Sequence, residues 1–173
     1  ETVIYANFQG KNPNEENVEI NVRRMCFFPS ETGRNYITVS GFNINKAATT
    51  WAPPAAFQDG MIGPHWSKGW IIEENVVYGT KCVGISLGKD LDEGHNRGPK
   101  GKGKGGTQRE QEVIFHALWG NWNKENIGSH IVRNNIIHDC EQAGVVGHLG
   151  AAFSVIEGNT IYRIHHKMII HGA

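Results

Sequence analysis

The sequence predicts an all-β fold, a right-handed parallel β-helix with long loop insertions and one short helix. Three observations predict it. The phrase IIEENVVYGTKCVGISLG at 71–88 returns as IVRNNIIHDCEQAGVVGHLG at 131–150. The pattern aliphatic-x-x-Asn-x-aliphatic recurs as Ile72-Asn75-Val77, Val132-Asn135-Ile137 and Ile156-Asn159-Ile161. Finally, Asn135 and Asn159 stand 24 positions apart, the length of one coil of a stacked solenoid.

The elements follow in chain order. Val39 to Ile44 fits the repeat with Phe42 in the Asn place. Lys46–Lys68, KAATTWAPPAAFQDGMIGPHWSK, is rich in Pro, Gly and aromatics and reads as a loop insertion. In the repeats, period-two aliphatics give short strands with one buried face. The Asn after each strand reads as a left-handed turn residue whose amide can form a ladder between coils. Gly84 and Gly144 hold the same register nine residues after their Asn. A second insertion spans 89–129 and opens with the Gly- and Lys-rich DLDEGHNRGPKGKGKGG. Its basic cluster, Lys100, Lys102 and Lys104, reads as a solvated loop. Thr107 and Glu110 match a capping box, and Val113, Ile114, Ala117 and Leu118 give an apolar face. A helix is therefore expected over about 108–118, ended by Gly120. In the third copy Met168 and Ile169 fall where the glycine register would resume. The 173 residues form a single β-helix domain on this reading, read as a piece of something longer because the chain opens on ETVIYANF without Met.

Composition narrows the function classes. Seventeen basic and seventeen acidic residues cancel, which argues against a nucleic-acid binder. Mean hydropathy is −0.41 and no apolar run reaches the roughly 20 residues of a membrane span. Cys26, Cys82 and Cys140 are widely spaced and odd in number, so they read as buried reduced thiols and set no compartment, bacterial cytoplasmic or secreted. Nine histidines occur without HExxH, HxH or Cys/His ligand spacing, so no metal site is expected. Neither a Walker nor a dinucleotide glycine motif occurs, no nucleophile elbow does, and no cofactor is expected.

Departures from the repeat carry the functional signal. Where the first copy has Lys81-Cys82-Val83-Gly84, the second has Glu141-Gln142-Ala143-Gly144, and His148 stands where the first has Gly88. Stacking needs none of Glu141, Gln142 or His148. Trp51, Trp66, Trp70, Trp119 and Trp122 cluster in or beside the insertions, with His65 and His116 close by. Aromatic rings beside amides and carboxylates suit sugars, since rings stack and polar groups bond hydroxyls. Spacing alone does not set the distance from Glu141 to Asp59 or Glu93.

The stretches APPAAFQDGMIGPHWSKGWIIEENVVYGTKCVGISLGK and GNWNKENIGSHIVRNNIIHDCEQAGVVGHLGAAFSVIEGNTIYRIH resemble the β-helix core of the glycoside hydrolase family 120 β-xylosidases, in its N-terminal and central part. The blocks HWSKGWIIE, WNKENIGSH and CEQAGVVG are the specific ones, and the likeness runs from about Asn21 onward. The resemblance implies a retaining exo-glycosidase that removes xylose from short β-xylosides with two carboxyl groups about 5 Å apart. It also implies a nucleophilic Asp in a Trp-Leu-Asp-Trp-like stretch and an acid/base Glu in a Glu-Val-x-His-Gly-like stretch, both C-terminal to this region. Neither stretch occurs in these 173 residues. RIHHK runs directly into MIIHGA, so a shortened coil or residues missing between Lys167 and Met168 are expected. No catalytic residue is carried over. The implied pocket wall is Trp51, His65, Trp66, Glu141, Gln142 and His148.

Three functions compete at this point. One is a β-xylosidase-like glycoside hydrolase acting on xylosides or xylo-oligosaccharides. Another is a non-catalytic carbohydrate-binding solenoid. A third is a polysaccharide lyase-like β-helix enzyme, which needs a cation or a basic cleft for a uronate. A solenoid cut between coils is also expected to self-associate through its exposed end.

Overall fold

The computed structural model describes residues 3–52, 57–88 and 106–165, with the side chains of 106–110 left out. Among the described residues eleven strands form three parallel sheets. The first contains β1 (Thr38–Ser40), β4 (Ile71–Glu73), β7 (Ile131–Arg133) and β10 (Val155–Glu157). β2 (Asn43–Ile44), β5 (Val76–Thr80), β8 (Ile136–Cys140) and β11 (Thr160–Ile164) make the second. The third consists of β3 (Gly60–Ile62), β6 (Val83–Ser86) and β9 (Ala143–Val146). Each of the first three coils contributes one strand to each sheet in turn, the fourth is described in the first two sheets, and every pairing is parallel, so the chain is a parallel β-helix. Among the described residues no helix is long and apolar enough to cross a membrane.

The registers expected from the repeat are the ones formed. Val39, Ile72, Val132 and Ile156 stack in the first sheet. Ile44, Val77, Ile137 and Ile161 stack in the second. The first three members of each stack are buried in the core, whereas Ile156 is 50% and Ile161 45% exposed. Outside the second sheet a parallel stack of rings forms: Tyr78 lies 4.8 Å from His138, and His138 lies 5.0 Å from Tyr162. Glycine is required at 84, since a Cβ there would meet the Gly144 carbonyl oxygen at 2.8 Å and Ile137 Cγ2 at 2.9 Å.

The asparagines build a ladder, but they are not the left-handed turn residues. That role falls to the residue before each: Gly41, Glu74, Asn134 and Gly158, all with positive φ. The amides of Asn75, Asn135 and Asn159 instead point inward. Asn135 Oδ1 accepts from the backbone N–H and the side-chain Nδ2 of Asn75, both at 3.0 Å. Asn159 Oδ1 accepts the same pair from Asn135 at 2.9 Å. Each Nδ2 also donates to the preceding strand: Asn75 to Val39 O, Asn135 to Ile72 O and Asn159 to Val132 O. Phe42 is tolerated in the first position because the ladder uses only its backbone there, its N–H donating to Asn75 Oδ1 at 3.0 Å and its carbonyl accepting from Val76 N–H at 2.9 Å.

Several expectations are corrected. The 46–68 segment is not all loop, because it carries β3, which pairs with β6 and receives Phe27 of the N-terminal arm on its other side. The helix, α1, runs Gly106–Trp119, which puts Thr107 inside it. Gly120 N–H bonds to His116 O at 2.7 Å, but the left-handed residue beyond the helix is Asn121. Only Val113 and Ala117 of the expected apolar face are buried, against Trp66 and Ile127, while Ile114 is 45% and Leu118 65% exposed. Cys82 and Cys140 are buried free thiols as expected, and Cys26 is exposed. Met168, Ile169, the Lys100–Lys104 cluster, Glu93 and Lys167 lie outside the described residues.

Three outcomes follow. Ile137→Ala is expected to cost about 3 kcal/mol, and Ile161→Ala, at the same register but 45% exposed, under about 1, read from urea midpoints. Asn135→Asp replaces a buried two-bond donor by an anion facing two acceptors, so a loss of about 3 kcal/mol or more is expected from the same measurement. His130, 1% exposed, accepts from the Trp70 backbone N–H at 3.1 Å, and burial pushes its imidazole down from 6.5 to about 4. The unfolded chain therefore takes up this proton first as pH falls. Stability should be full above about pH 6.5 and drop by about 3 kcal/mol on reaching pH 4. Asp139, held low by Arg163 and His138, loses its contribution only below 3.8, outside that window. His130→Gln should flatten the slope between pH 6.5 and 4 in thermal unfolding.

Candidate functional site

The sequence-predicted residues collect at the two ends of the third sheet. At its leading end the coils place Gln58-Asp59, Lys81-Cys82 and Glu141-Gln142 in register, directly before β3, β6 and β9. The repeat would tolerate small residues here, and the second copy has an amide instead. Gln142 Oε1 accepts from the Ala52 backbone N–H at 2.9 Å, and Gln142 Nε2 donates to Ala52 O at 2.7 Å. One side-chain amide thus pairs with both polar groups of one residue, as a neighbouring strand would. Nε2 also reaches Gln58 Oε1 at 3.3 Å. This clamp fixes the backbone next to Trp51, whose ring is 45% exposed.

Both carboxylates at this end are in ion pairs. Glu141 Oε1 lies 2.9 Å from Lys81 Nζ. Asp59, 1% exposed, takes Arg24 of the N-terminal arm at 2.6 and 3.0 Å. Lys81 is in turn anchored through its backbone N–H to Thr49 Oγ1, which bonds Thr80 Oγ1 at 2.6 Å. The thiols of Cys82 and Cys140 are pushed up to about 12 by burial, so they stay protonated at neutral pH and are not nucleophiles.

His65, Trp66 and His148 lie at the trailing end of the same sheet. His65 and Trp66 both adopt left-handed backbone, φ 48° and 51°, unusual for two consecutive non-glycine residues. His65 stacks on Phe28 at 4.5 Å, and its Nδ1 lies 2.8 Å from Pro29 O. Trp66 is buried and donates from Nε1 to Gly88 O at 2.8 Å. Gly88 leaves the room His148 occupies on the next coil: a Cβ at 88 would stand 3.2 Å from His148 Cβ. Trp122 closes the same corner by donating from Nε1 to Leu149 O at 2.8 Å.

The structure therefore joins Trp51 with Glu141 and Gln142, and separately groups His65, Trp66 and His148. Buried Trp66 is part of the scaffold that seats α1 on the solenoid, not an open sugar platform. Sequence reading missed Gln58, Lys81 and Arg24. The signal for Gln58 was its place two residues before Gly60, hidden because β3 was not recognised as a repeat strand. No group of His, Cys, Asp and Glu among the described residues is arranged to hold a metal ion. Chemically, the leading end offers an exposed indole and a cation-held carboxylate, while the Gln142 amide is spent on Ala52 and Gln58.

No protein-family model matches the chain, and no curated protein does. Among solved structures, the chain is similar to one described as the complex structure of XylC with xylose, at 57% identity and a TM-score of 0.81. That likeness covers 93% of this chain and 25% of the other, so the chain spans about a quarter of its solved relative. With an identity this high along nearly all of its length, the chain shares the stacked parallel coils of that structure and corresponds to a part of it.

Proposed function

We propose that this chain forms the wall of a xylose-binding pocket in a β-xylosidase-like retaining glycoside hydrolase acting on xylosides or xylo-oligosaccharides. The observation that carries the reading is the 57% identity, over 93% of the chain, with a structure that holds xylose. The leading end of the third sheet supports it. Trp51 is 45% exposed and open to stacking, and the Gln142 clamp fixes the backbone beside it before binding. Glu141, oriented by Lys81, is suited to accept sugar hydroxyls rather than to act as a general acid. His65 and His148, at the far end of the sheet, stand too far from Trp51 to touch the same sugar ring and are assigned to further units of an oligosaccharide.

The carboxyl pair needed for retaining hydrolysis is assigned to the Trp-Leu-Asp-Trp-like and Glu-Val-x-His-Gly-like stretches of the family, not to described residues of this chain. One observation favours a second reading, a carbohydrate-binding solenoid without catalysis: Glu141 and Asp59 are both in ion pairs. The half-exposed Ile156 of β10 and Ile161 of β11 are proposed as the surface for any self-association.

Titration with xylose and with galacturonate, together with an aryl β-D-xyloside assay, tests the reading. A saturable response to xylose and none to galacturonate is expected. Absence of any xylose response overturns it, and a galacturonate response favours the lyase class. Turnover abolished by a carboxylate substitution among the described residues would place the catalytic pair here instead. In an enzyme that turns over, Glu141→Gln is expected to raise KM about tenfold and change kcat less than about twofold. A collapse of kcat at unchanged KM contradicts the binding role.

A further inference from the structure

A second cleft, of about 560 Å³, opens at the trailing end of the third sheet, away from Trp51. Its walls come from three places: Thr32 and Asn35 of the N-terminal arm, His116 and Trp119 at the C-terminal end of α1, and Asn126 of the following turn, with Trp66 as floor. We infer that this cleft is a distinct binding site for a neutral pyranose unit, in which Trp119 is the stacking platform. The kind of sugar, a xylo-oligosaccharide, rests on the function proposed above.

The walls argue for this ligand class. None of those residues carries a permanent charge, so nothing in the cleft selects an anion or a cation, and a ligand of hydroxyl groups fits what is offered. Trp119 is 81% exposed and is backed by Phe115, its ring centroid 6.1 Å away. A large exposed indole held by a second ring presents a flat apolar face to the C–H face of a sugar. The two asparagines are held at one end and open at the other. Asn35 Oδ1 accepts from the Lys68 backbone N–H at 2.8 Å, which leaves its NH2 group to donate. Asn126 Nδ2 donates to Asn121 O at 3.1 Å, which leaves its carbonyl oxygen. A fixed donor and a fixed acceptor beside an aromatic face are the parts needed to bond adjacent hydroxyls, and the volume lies within the range of small-ligand sites.

The floor is rigid for reasons independent of a ligand. Trp66 is locked by its bond to Gly88 O and by Val113, Ala117 and Ile127 packed on it. The cleft and the Trp51 corner lie at opposite ends of the four-residue strand β6, so one sugar ring cannot fill both.

Indole N–H resonances test the inference, since each of the five tryptophans gives one and substitution assigns it. With xylotetraose as the probe, the Trp119 resonance is expected to shift saturably, and to do so still in Trp51→Ala. Trp119→Ala should weaken that component about tenfold, read at Trp66, and Trp119→Phe should restore it to within about twofold because the ring face is kept. Shifts confined to Trp51 would overturn the second site and leave the proposed function standing. No shift at any indole would overturn both. A Trp119 resonance that follows protein concentration and ignores the sugar would make this face a protein contact and overturn the inference. The exposure of Trp119 makes its substitution safe for folding.

Discussion

The buried amide ladder of Asn75, Asn135 and Asn159 is the constraint on which the coil geometry depends. Every coil must turn between its first and second strands, and a tight turn leaves a backbone N–H pointing into the interior. A buried N–H without an acceptor costs as much as a lost hydrogen bond. The ladder removes that cost in a repeating way: each Oδ1 takes the N–H of the coil before it, and each Nδ2 takes a strand carbonyl. An Asn fits both roles at once, which Asp or Leu does not. The aliphatic stacks then fall into register because the turns are in register.

Once the coils are held this way, residues at the sheet ends are free to differ between copies. Cys82 and Gln142 occupy equivalent positions, one filling space and the other reaching out to the backbone at Ala52. Gly88 and His148 show the same division, the glycine making room for the imidazole above it. The solenoid supplies a rigid grid, and chemistry is varied at grid points without disturbing the ladder.

Charge has a mostly orienting role. Lys81–Glu141 and Arg24–Asp59 tie the N-terminal arm and neighbouring coils together, and exposed pairs such as Arg34–Glu31 add little to stability. The aromatic groups divide similarly. Trp66 and Trp70 are buried structural posts, each donating its indole N–H to a backbone carbonyl, while Trp51 and Trp119 are left exposed at opposite ends of one short sheet.

Much of the fold was legible in the sequence. Strand positions, coil registers, the Asn ladder and the close approach at Gly84 all follow from local periodicity, because stacked coils bury residues at a fixed spacing and the spacing shows in one dimension. Strand β3 was hidden by spacing, since Gly60 stands 18 residues after Phe42 whereas β6 and β9 each begin eight residues after their Asn. The helix was visible by its period, but which of its apolar residues are buried was not. That depends on the seat Trp66 and Ile127 provide, and Ile114 and Leu118 point elsewhere. The wall residues could be named from departures in the repeat, yet only the tertiary structure separated them into two ends. Which end a side chain faces is set by contacts 90 residues apart, as between Gln142 and Ala52, and no local pattern encodes a partner at that distance.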